Sequence, residues 1–285
     1  MIDRLCVIGV GLIGGSLALG LRREGYCRHV VGVGRNPDNL ATALARGLID
    51  EASHDIGASV SAADMIVIAA PVGATRQVVE QFADRLKPDA VFTDVGSVKG
   101  SVVRQVEAAL GGLPANFVPG HPIAGTENSG AAAAIADLYQ GRRVLLTPLA
   151  ETDPEAVARV EAMWRAVGAE VEQMPVERHD RILAATSHLP HMLAFGLVDS
   201  LARQEASEEI FRYAAGGFRD FTRIASSDPV MWRDICLHNR DALLLAMANY
   251  QADLDELKKA IEQGDEAALE TIFSRAKKAR DGFVH

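Results

Sequence analysis

The first two-thirds of the chain alternates short apolar runs with segments of helical periodicity. The apolar runs are bounded by Gly, Pro or Asp, and most lack the polar alternation of a half-exposed sheet, which is typical of parallel strands covered on both faces. They predict strands at residues 5–10, 30–34, 65–70, 90–94, 117–119 and 144–148, and a short one at 170–174. The segments between them predict helices at residues 15–24, 39–46, 75–86, 98–110 and 154–167.

This order predicts an α/β fold, with an N-terminal doubly wound, mostly parallel sheet of the Rossmann type. After His179 the pattern changes, and only helices are predicted, at residues 181–203, 208–215, 218–224, 229–263 and 266–280. We place the boundary near Pro175, which gives a dinucleotide-binding domain at 1–175 and an all-α domain at 176–285. The apolar residues at 243–247 exceed what one small helical bundle needs, which favours a homodimer through the helical domain over a single well-filled core.

Composition excludes several classes of function. The chain has 285 residues and a net charge of −9, with no Lys/Arg-rich block, so a nucleic-acid partner is not expected. No apolar stretch approaches the roughly 18 residues of a membrane span, and the N-terminus lacks the basic segment of a signal peptide, so we expect a cytoplasmic protein. Cys6, Cys27 and Cys236 are too few and too far apart for a disulfide framework or a zinc site.

A glycine motif follows the first predicted strand. Residues 9–14 read GVGLIG, the GxGxxG pattern, and they stand between a strand and a helix within a βαβ unit. Gly9 permits the tight turn, Gly11 lets the backbone approach a pyrophosphate, and Gly14 lets the helix pack close to the sheet. The motif predicts a dinucleotide site rather than a plain turn. The expected cofactor-binding residues are Gly9, Gly11, Leu12, Ile13, Gly14, Arg35, Asn36 and Pro71.

The end of the second strand bears on which dinucleotide binds. NAD-specific sites have Asp or Glu at this point, but this chain has Gly34, Arg35 and Asn36. Nothing there repels a 2′-phosphate, and Arg35 could pair with one or lie over the adenine ring. The sequence therefore favours NADP, or use of both cofactors, over strict NAD.

Two further motifs follow predicted strands, where ligands bind in open α/β sheets. In DVGSVK, Ser97 is expected to face the cleft, to cap the helix predicted from Val98, or to do both. In HPIAGTE, His121 stands in a glycine-containing loop, which suits acid–base work beside a nicotinamide, although a surface histidine is the alternative.

The helical half adds two more polar motifs. In SHLPH, His188 and His191 are three residues apart and so share a helix face, but no third ligand at a recognisable spacing supports a metal site. The segment GGFRDFTRIASSDPVMW, residues 216–232, is dense in polar and aromatic groups. On its own it is equally typical of a capped connection between helices.

Taken together and in this order, these motifs resemble the prephenate/arogenate (cyclohexadienyl) dehydrogenase family over almost the whole chain. The resemblance implies a Rossmann domain followed by a helical dimerisation domain. It also implies oxidation of the C4 hydroxyl of a cyclohexadiene, with loss of the ring carboxylate as carbon dioxide, in tyrosine biosynthesis. Many members carry Asp where this chain has Gly34 and Arg35, so the cofactor preference stays open.

The resemblance also implies roles for individual residues. His121 accepts the proton of the C4 hydroxyl, and Ser97 orients both groups. Arg223 anchors a substrate carboxylate, and His191, positioned by Asp220, helps to bind the substrate. The remaining expected pocket residues are Trp232, Thr126, Glu127 and His188.

Two other functions stay open from the sequence. A 3-hydroxyacid dehydrogenase of the hydroxyisobutyrate type shares the architecture, but it uses a Lys of the helical domain, and this chain has no Lys between Lys99 and Lys258. A non-catalytic dinucleotide sensor would explain the glycine motif but not the polar residues His121, His191 and Arg223.

Overall fold

The computed structural model of the protein describes residues 1–126 and 128–283. Its main sheet has six parallel strands in the order β3-β2-β1-β4-β5-β6, which confirms the doubly wound, mostly parallel fold. The strands are β1 (Ile2–Ile8), β2 (Cys27–Val33), β3 (Glu51–Ser53), β4 (Met65–Ile68), β5 (Val91–Asp94) and β6 (Phe117–Val118). The strand order reverses between β1 and β4, and a crevice forms there at the carboxyl ends of the strands.

Apolar side chains cover both faces of this sheet. Along β1, Leu5 and Val7 join one buried cluster, whereas Cys6 and Ile8 join the other, because successive side chains point to opposite faces. All four residues of β4 are buried. Double-sided burial is therefore why the strands appear as unbroken apolar runs in the sequence.

A second sheet carries one of the predicted catalytic residues. It consists of β7 (Gly120–Pro122), β8 (Arg143–Leu146) and β9 (Glu170–Gln173), with β7 antiparallel and β9 parallel to β8. Strand β7 was not predicted. His121 therefore lies in a strand, opposite Leu145, and not in a loop as expected.

The helices around the main sheet follow the predicted order. They are α1 (Leu12–Arg23), α2 (Pro37–Ala45), α3 (Ile56–Ser61), α4 (Thr75–Glu80), α5 (Lys99–Leu110) and α6 (Pro154–Ala166). Helix α4 ends six residues before the prediction, in a series of turns. The short elements β3 and α3 were missed, because a three-residue strand that is mostly exposed and a six-residue helix capped by Asp55 give no clear periodicity.

The rest of the chain is helical. Its helices are α7 (Val176–Leu183), α8 (Leu189–Ala202), α9 (Ser207–Arg212), α10 (Gly216–Thr222), α11 (Pro229–His238), α12 (Arg240–Gln263) and α13 (Glu266–Phe283). A π-helical turn, Ala184–His188, joins α7 to α8 within the segment predicted as one helix. The helix predicted at 229–263 is two helices, which meet at Asn239.

The chain forms two compact units, residues 1–240 and 241–285. The second unit contains most of α12 and all of α13. Several large apolar side chains on these two helices are exposed, namely Leu244, Leu245, Met247, Tyr250, Leu254, Ile261, Phe273 and Phe283. Among the described residues, no helix is long and apolar enough to cross a membrane. The domain boundary near Pro175 stays a prediction.

Candidate active site

The three glycines of the GxGxxG motif have different structural reasons to be glycine. Gly9 has φ +100°, and a Cβ there would clash with the carbonyl of Ala69. A Cβ on Gly14 would clash with the Gly9 carbonyl and lie 2.8 Å from Cγ1 of Val7. A Cβ on Gly11 would meet nothing within 4 Å, so at this position the space lies open toward the crevice.

This end of the crevice fits a dinucleotide. Helix α1 begins at Leu12 with no side-chain cap, which leaves its N-terminal amides and the positive end of its dipole for phosphate oxygens. Gly11, Leu12, Ile13, Gly14 and Pro71 all line a cleft of about 520 Å³. Gly9 lies beside β4 instead, so its part is to shape the turn.

The end of β2 has no carboxylate at residues 34–36. Arg35 is exposed. Asn36 caps α2, since its Oδ1 accepts hydrogen bonds from the amides of Asp38 (2.9 Å) and Asn39 (3.1 Å). Asn36 therefore shapes the start of α2, and Arg35 is the exposed basic side chain beside it.

A buried ion pair fixes the junction between β5 and β7. The ammonium of Lys99 is fully buried, pairs with Asp94 and donates to the Gly120 carbonyl at 2.5 Å. The Asp94 carboxylate also accepts hydrogen bonds from the amides of Gly96 (2.7 Å) and Gly120 (3.1 Å). These hydrogen bonds offset the cost of burying both charges. They also hold the residues that follow β5 next to β7.

Ser97 lies in this junction and lines the cleft together with His121. Helix α5 begins at Lys99, one residue later than predicted, and Val98 is its N-cap. The helix is capped by Asp180, whose two carboxylate oxygens accept hydrogen bonds from the amides of Lys99 and Gly100, each at 2.8 Å. The expectation that Ser97 caps this helix is therefore wrong. Its hydroxyl makes no hydrogen bond within the described residues.

His121 is buried, with only 9% of its surface exposed, which excludes the alternative of a surface histidine. Its Nδ1 lies 2.9 Å from Nε2 of His179, and Nδ1 of His179 lies 2.8 Å from Oδ1 of Asp180. Burial lowers the pKa of His121 well below its usual value, and the nearby His179, Lys99 and His188 lower it further. The ring is therefore neutral at physiological pH and able to accept a proton.

The π-helical turn before α8 forms the opposite wall. Pro190 has no amide hydrogen to donate, which favours a local departure from α-helical bonding. Ser187 and His188 line the cleft from this turn. The carbonyl of Ser187 is 2.8 Å from Nδ1 of His191, which fixes the direction of that ring.

Both histidines of SHLPH contact Trp232 of α11, as expected for residues on one face. His191 stacks on the indole with centroids 3.7 Å apart, and His188 meets it edge-on at 6.1 Å. Burial lowers the pKa of His188 to about 4 and also lowers that of His191. Nε2 of His188 and Nε1 of Trp232 are buried without a hydrogen-bond partner among the described residues.

The remaining predicted pocket residues are Asp220, Arg223, Thr126 and Glu127. Asp220 is exposed, whereas Nδ1 of His191 bonds to the Ser187 carbonyl and its ring stacks on Trp232, so the positioning of His191 by Asp220 stays a prediction. Arg223 is exposed and lies near enough to His191 to lower its pKa. Thr126 lines the cleft. Glu127 lies outside the described residues.

A second cleft of about 760 Å³ adjoins the first at His121. Thr126, Ser187 and His191 line it, together with Arg142. His121 borders both clefts, so a dinucleotide in the first and a small molecule beside the second would meet at this ring.

Sequence reasoning missed three residues of this site: His179, Asp180 and Asn239. Asn239 donates hydrogen bonds from its Nδ2 to the carbonyl of Asp180 (2.9 Å) and to Nδ1 of His188 (3.0 Å). The adjacent His179 and Asp180 just after the predicted boundary were a weak signal. Their contact with a residue 58 positions away follows only from the fold.

The sequence also resembles known proteins along its length. Residues 17–173 match the nucleotide-binding domain of prephenate dehydrogenase, and residues 175–275 match its dimerisation domain. The cyclohexadienyl dehydrogenase of Zymomonas mobilis is 39% identical over 97% of this chain and 94% of its own length.

Two solved structures have the same fold over the full chain. Prephenate dehydrogenase from Aquifex aeolicus, in complex with hydroxyphenyl propionate and NAD⁺, is 40% identical with a TM-score of 0.93, covering 99% of this chain and 98% of its own. Arogenate dehydrogenase from Synechocystis is 30% identical with a TM-score of 0.82, covering 99% of this chain and 100% of its own.

Proposed function

The chain belongs to the prephenate dehydrogenase family, and we propose that it oxidises prephenate, arogenate or both in tyrosine biosynthesis. The products would be 4-hydroxyphenylpyruvate from prephenate and tyrosine from arogenate, with carbon dioxide and a reduced nicotinamide. The observation that carries the proposal is the position of His121, a buried neutral base between the glycine-motif cleft and the cleft beside His191.

The protein needs to do little more than position the substrate, because the ring becomes aromatic as carbon dioxide leaves and this drives the reaction. The bound dinucleotide supplies the acceptor for the hydrogen and electron pair of C4. His121 takes the proton of the C4 hydroxyl as the C–H bond breaks, and the same proton returns to the phenol oxygen after decarboxylation. Ser97, whose hydroxyl has no protein partner among the described residues, orients the C4 hydroxyl toward His121.

The substrate carries two carboxylates, which need fixed donors. Arg223 is the proposed anchor for one of them, because its planar guanidinium forms two parallel hydrogen bonds with a carboxylate. His191 and Thr126 line the second cleft together with His121. His188 and Trp232 would donate from the buried ring nitrogens that have no partner among the described residues. Asp220 and Glu127 keep their proposed places in the pocket only by resemblance.

The cofactor is a nicotinamide dinucleotide, and we propose that NADP is accepted as well as NAD. The relative from Aquifex aeolicus binds NAD⁺. In this chain, the exposed Arg35 after β2 and the absence of a carboxylate at residues 34–36 support a site that tolerates a 2′-phosphate. Gly11, Leu12, Ile13, Gly14 and Pro71 would surround the pyrophosphate and the nicotinamide end.

We further propose a homodimer, formed through the helical domain. Support comes from the matched dimerisation domain and from the exposed apolar side chains of α12 and α13. Exposed apolar side chains grouped on neighbouring helices are typical of an interaction surface. We place the protein in the cytoplasm, where its small-molecule substrate would be made, with no nucleic-acid or membrane partner.

An assay of reduced-nicotinamide formation tests the proposal. Prephenate and arogenate are each crossed with NAD and NADP, and turnover in any of the four combinations supports the activity while fixing both preferences. Absence of turnover in all four, from folded protein that still binds a dinucleotide, would contradict the proposal and favour a dinucleotide sensor.

A further inference from the structure

A hydrogen-bonded chain of three side chains, of which two histidines are buried and one aspartate is partly buried, leads away from the active site. His121 lies on β7, and its Nδ1 is 2.9 Å from Nε2 of His179 on α7. Nδ1 of His179 is in turn 2.8 Å from Oδ1 of Asp180. His179 is fully buried, so water does not replace His121 or Asp180 as the partner of its ring nitrogens. The roles described above leave His179 and Asp180 without a part in the reaction.

The hydrogen bonds determine which nitrogen of each ring carries a proton. The Asp180 carboxylate already accepts the amides of Lys99 and Gly100, and as an ion it can only accept. Nδ1 of His179 must therefore be the donor to Asp180. In the neutral ring, Nε2 of His179 is then the acceptor, and the hydrogen between the two rings belongs to Nδ1 of His121.

We propose that His179 and Asp180 are positioning residues that hold His121 as its Nδ1–H tautomer, so that the Nε2 lone pair is the base facing the substrate. This inference rests on the proposed role of His121. It adds a tautomer-setting pair that the sequence did not predict. In serine proteases, a carboxylate controls the catalytic histidine in the same way; here a second imidazole stands between the two groups.

The same chain stabilises the charge that appears on His121 during turnover. The substrate O–H bond breaks, and its proton bonds to Nε2 of His121. The positive charge of the new imidazolium is stabilised by the hydrogen bond from its Nδ1–H to His179. The Nδ1–H of His179 continues to donate to Asp180. The phenol oxygen later takes the proton back from Nε2, so no proton leaves the site and the chain needs no exit to solvent.

Other charged and titratable groups near His121 do not replace this arrangement. Lys99 is paired with Asp94 and bonded to the Gly120 carbonyl, so its ammonium is occupied. His188 has the opposite hydrogen-bond pattern, because Nδ2 of Asn239 donates to its Nδ1. Its proton then lies on Nε2. The two cleft histidines therefore differ in kind: His121 is a base, and His188 is a donor.

Nitrogen NMR of ¹⁵N-histidine-labelled protein, recorded near pH 8, tests the tautomer directly. His121→Asn identifies the His121 signals by their loss. In the wild type we expect a protonated Nδ1 and an unprotonated Nε2. In His179→Phe, which has no acceptor, the tautomers should mix and kcat should fall by about 10²-fold or more, with KM changed less than about threefold.

Two further variants separate positioning from structural damage. His179→Gln can accept the Nδ1–H of His121 through its carbonyl, so the tautomer and most of the lost kcat should be recovered. The control His29→Gln, at a half-buried position on β2, should change neither. An Nε2–H tautomer of His121 in the wild type, or wild-type kcat in His179→Phe, would overturn the proposal. An inactive wild type with the expected tautomer would instead contradict only the proposed function.

Discussion

At the scale of single residues, the protein keeps its buried histidines neutral at a pH where an exposed histidine is partly protonated. His121, His179 and His188 are all buried, and burial is the largest cause that lowers each pKa. A general base must be unprotonated before it can act. The site therefore obtains an unprotonated base chiefly by burying the imidazole, with a smaller contribution from the nearby Lys99.

Replacing the base gives the first prediction. His121→Asn should lower kcat by roughly 10²–10⁴-fold, because a general base contributes about that factor, while KM for the cyclohexadienyl acid changes little. Steady-state kinetics measures both parameters. His29→Gln, at a half-buried position on β2, serves as the matched control. Near wild-type turnover in His121→Asn would end the assignment of this residue as the base.

The second prediction concerns the cofactor. Arg35→Ala should weaken NADP binding much more than NAD binding, because only NADP carries the 2′-phosphate that a guanidinium can pair with. Dissociation constants for both dinucleotides, measured by titration calorimetry, test this. Arg28→Ala, which changes an exposed arginine within β2, is the control. Equal losses for both cofactors would place Arg35 on the adenine ring instead.

At the scale of elements, the sequence predicts what depends on neighbours along the chain. The parallel strands, the glycine turn and the order of the helices follow from apolar runs and from Gly9, Gly11 and Gly14. Elements that depend on residues far away in the sequence cannot be predicted from these local patterns. Strand β7 forms because His121 pairs with Leu145 on β8, and a single residue between Gly120 and Pro122 gives no strand pattern of its own.

The same reason explains the errors in the helical half. Residues 229–263 have one continuous helical periodicity, yet α11 ends at His238. Asn239 at the break is buried and bonds to Asp180 and His188, two contacts that no local pattern reveals. Asp180 likewise caps α5 from a distance of about 80 residues along the chain, so of the alternatives for Ser97 the helix cap is wrong.

The third prediction tests the packing of α1 on the main sheet. A Cβ at Gly14 would lie 2.8 Å from Cγ1 of Val7 and clash with the Gly9 carbonyl. Gly14→Ala should therefore push α1 off β1 and weaken dinucleotide binding by about tenfold or more, given that overpacking costs about 1–3 kcal/mol. Calorimetric Kd values measure this. Gly112→Ala, where a Cβ meets nothing within 4 Å, is the control and should bind normally.

At the scale of the whole molecule, the buried histidines make stability depend on pH. The pKa of His188 is about 4 in the folded protein, below its ordinary 6.5, and that of His121 and His179 is also lowered. As pH falls below 6.5, the unfolded chain takes up protons that the folded protein refuses. The stabilisation is thus complete above pH 6.5 and is lost as pH falls toward 4.

Urea denaturation between pH 7.5 and 4.5 checks this fourth prediction. The free energy of unfolding should decrease steadily below pH 6.5, and the slope should be shallower in His188→Gln, which cannot take up a proton there. A free energy of unfolding that is constant across this range would show that the histidines are not buried as described.

The fifth prediction concerns assembly. Leu245 is 58% exposed on α12, which an apolar side chain on a dimer-forming helix explains. Leu245→Glu should shift the protein from dimer to monomer in analytical ultracentrifugation, because the interface would then bury an unpaired charge. Glu256→Lys, at an exposed polar position on the same helix, should remain dimeric. A monomeric wild type would contradict the proposed dimer.

The central claim is that oxidation at C4 and loss of carbon dioxide are one process that depends on His121. The most direct test measures all products from prephenate with the purified wild type. We predict 4-hydroxyphenylpyruvate, carbon dioxide and reduced nicotinamide in equal molar amounts, and loss of all three in His121→Asn that still binds the dinucleotide. Reduced nicotinamide without carbon dioxide, or undiminished products from His121→Asn, would contradict the account.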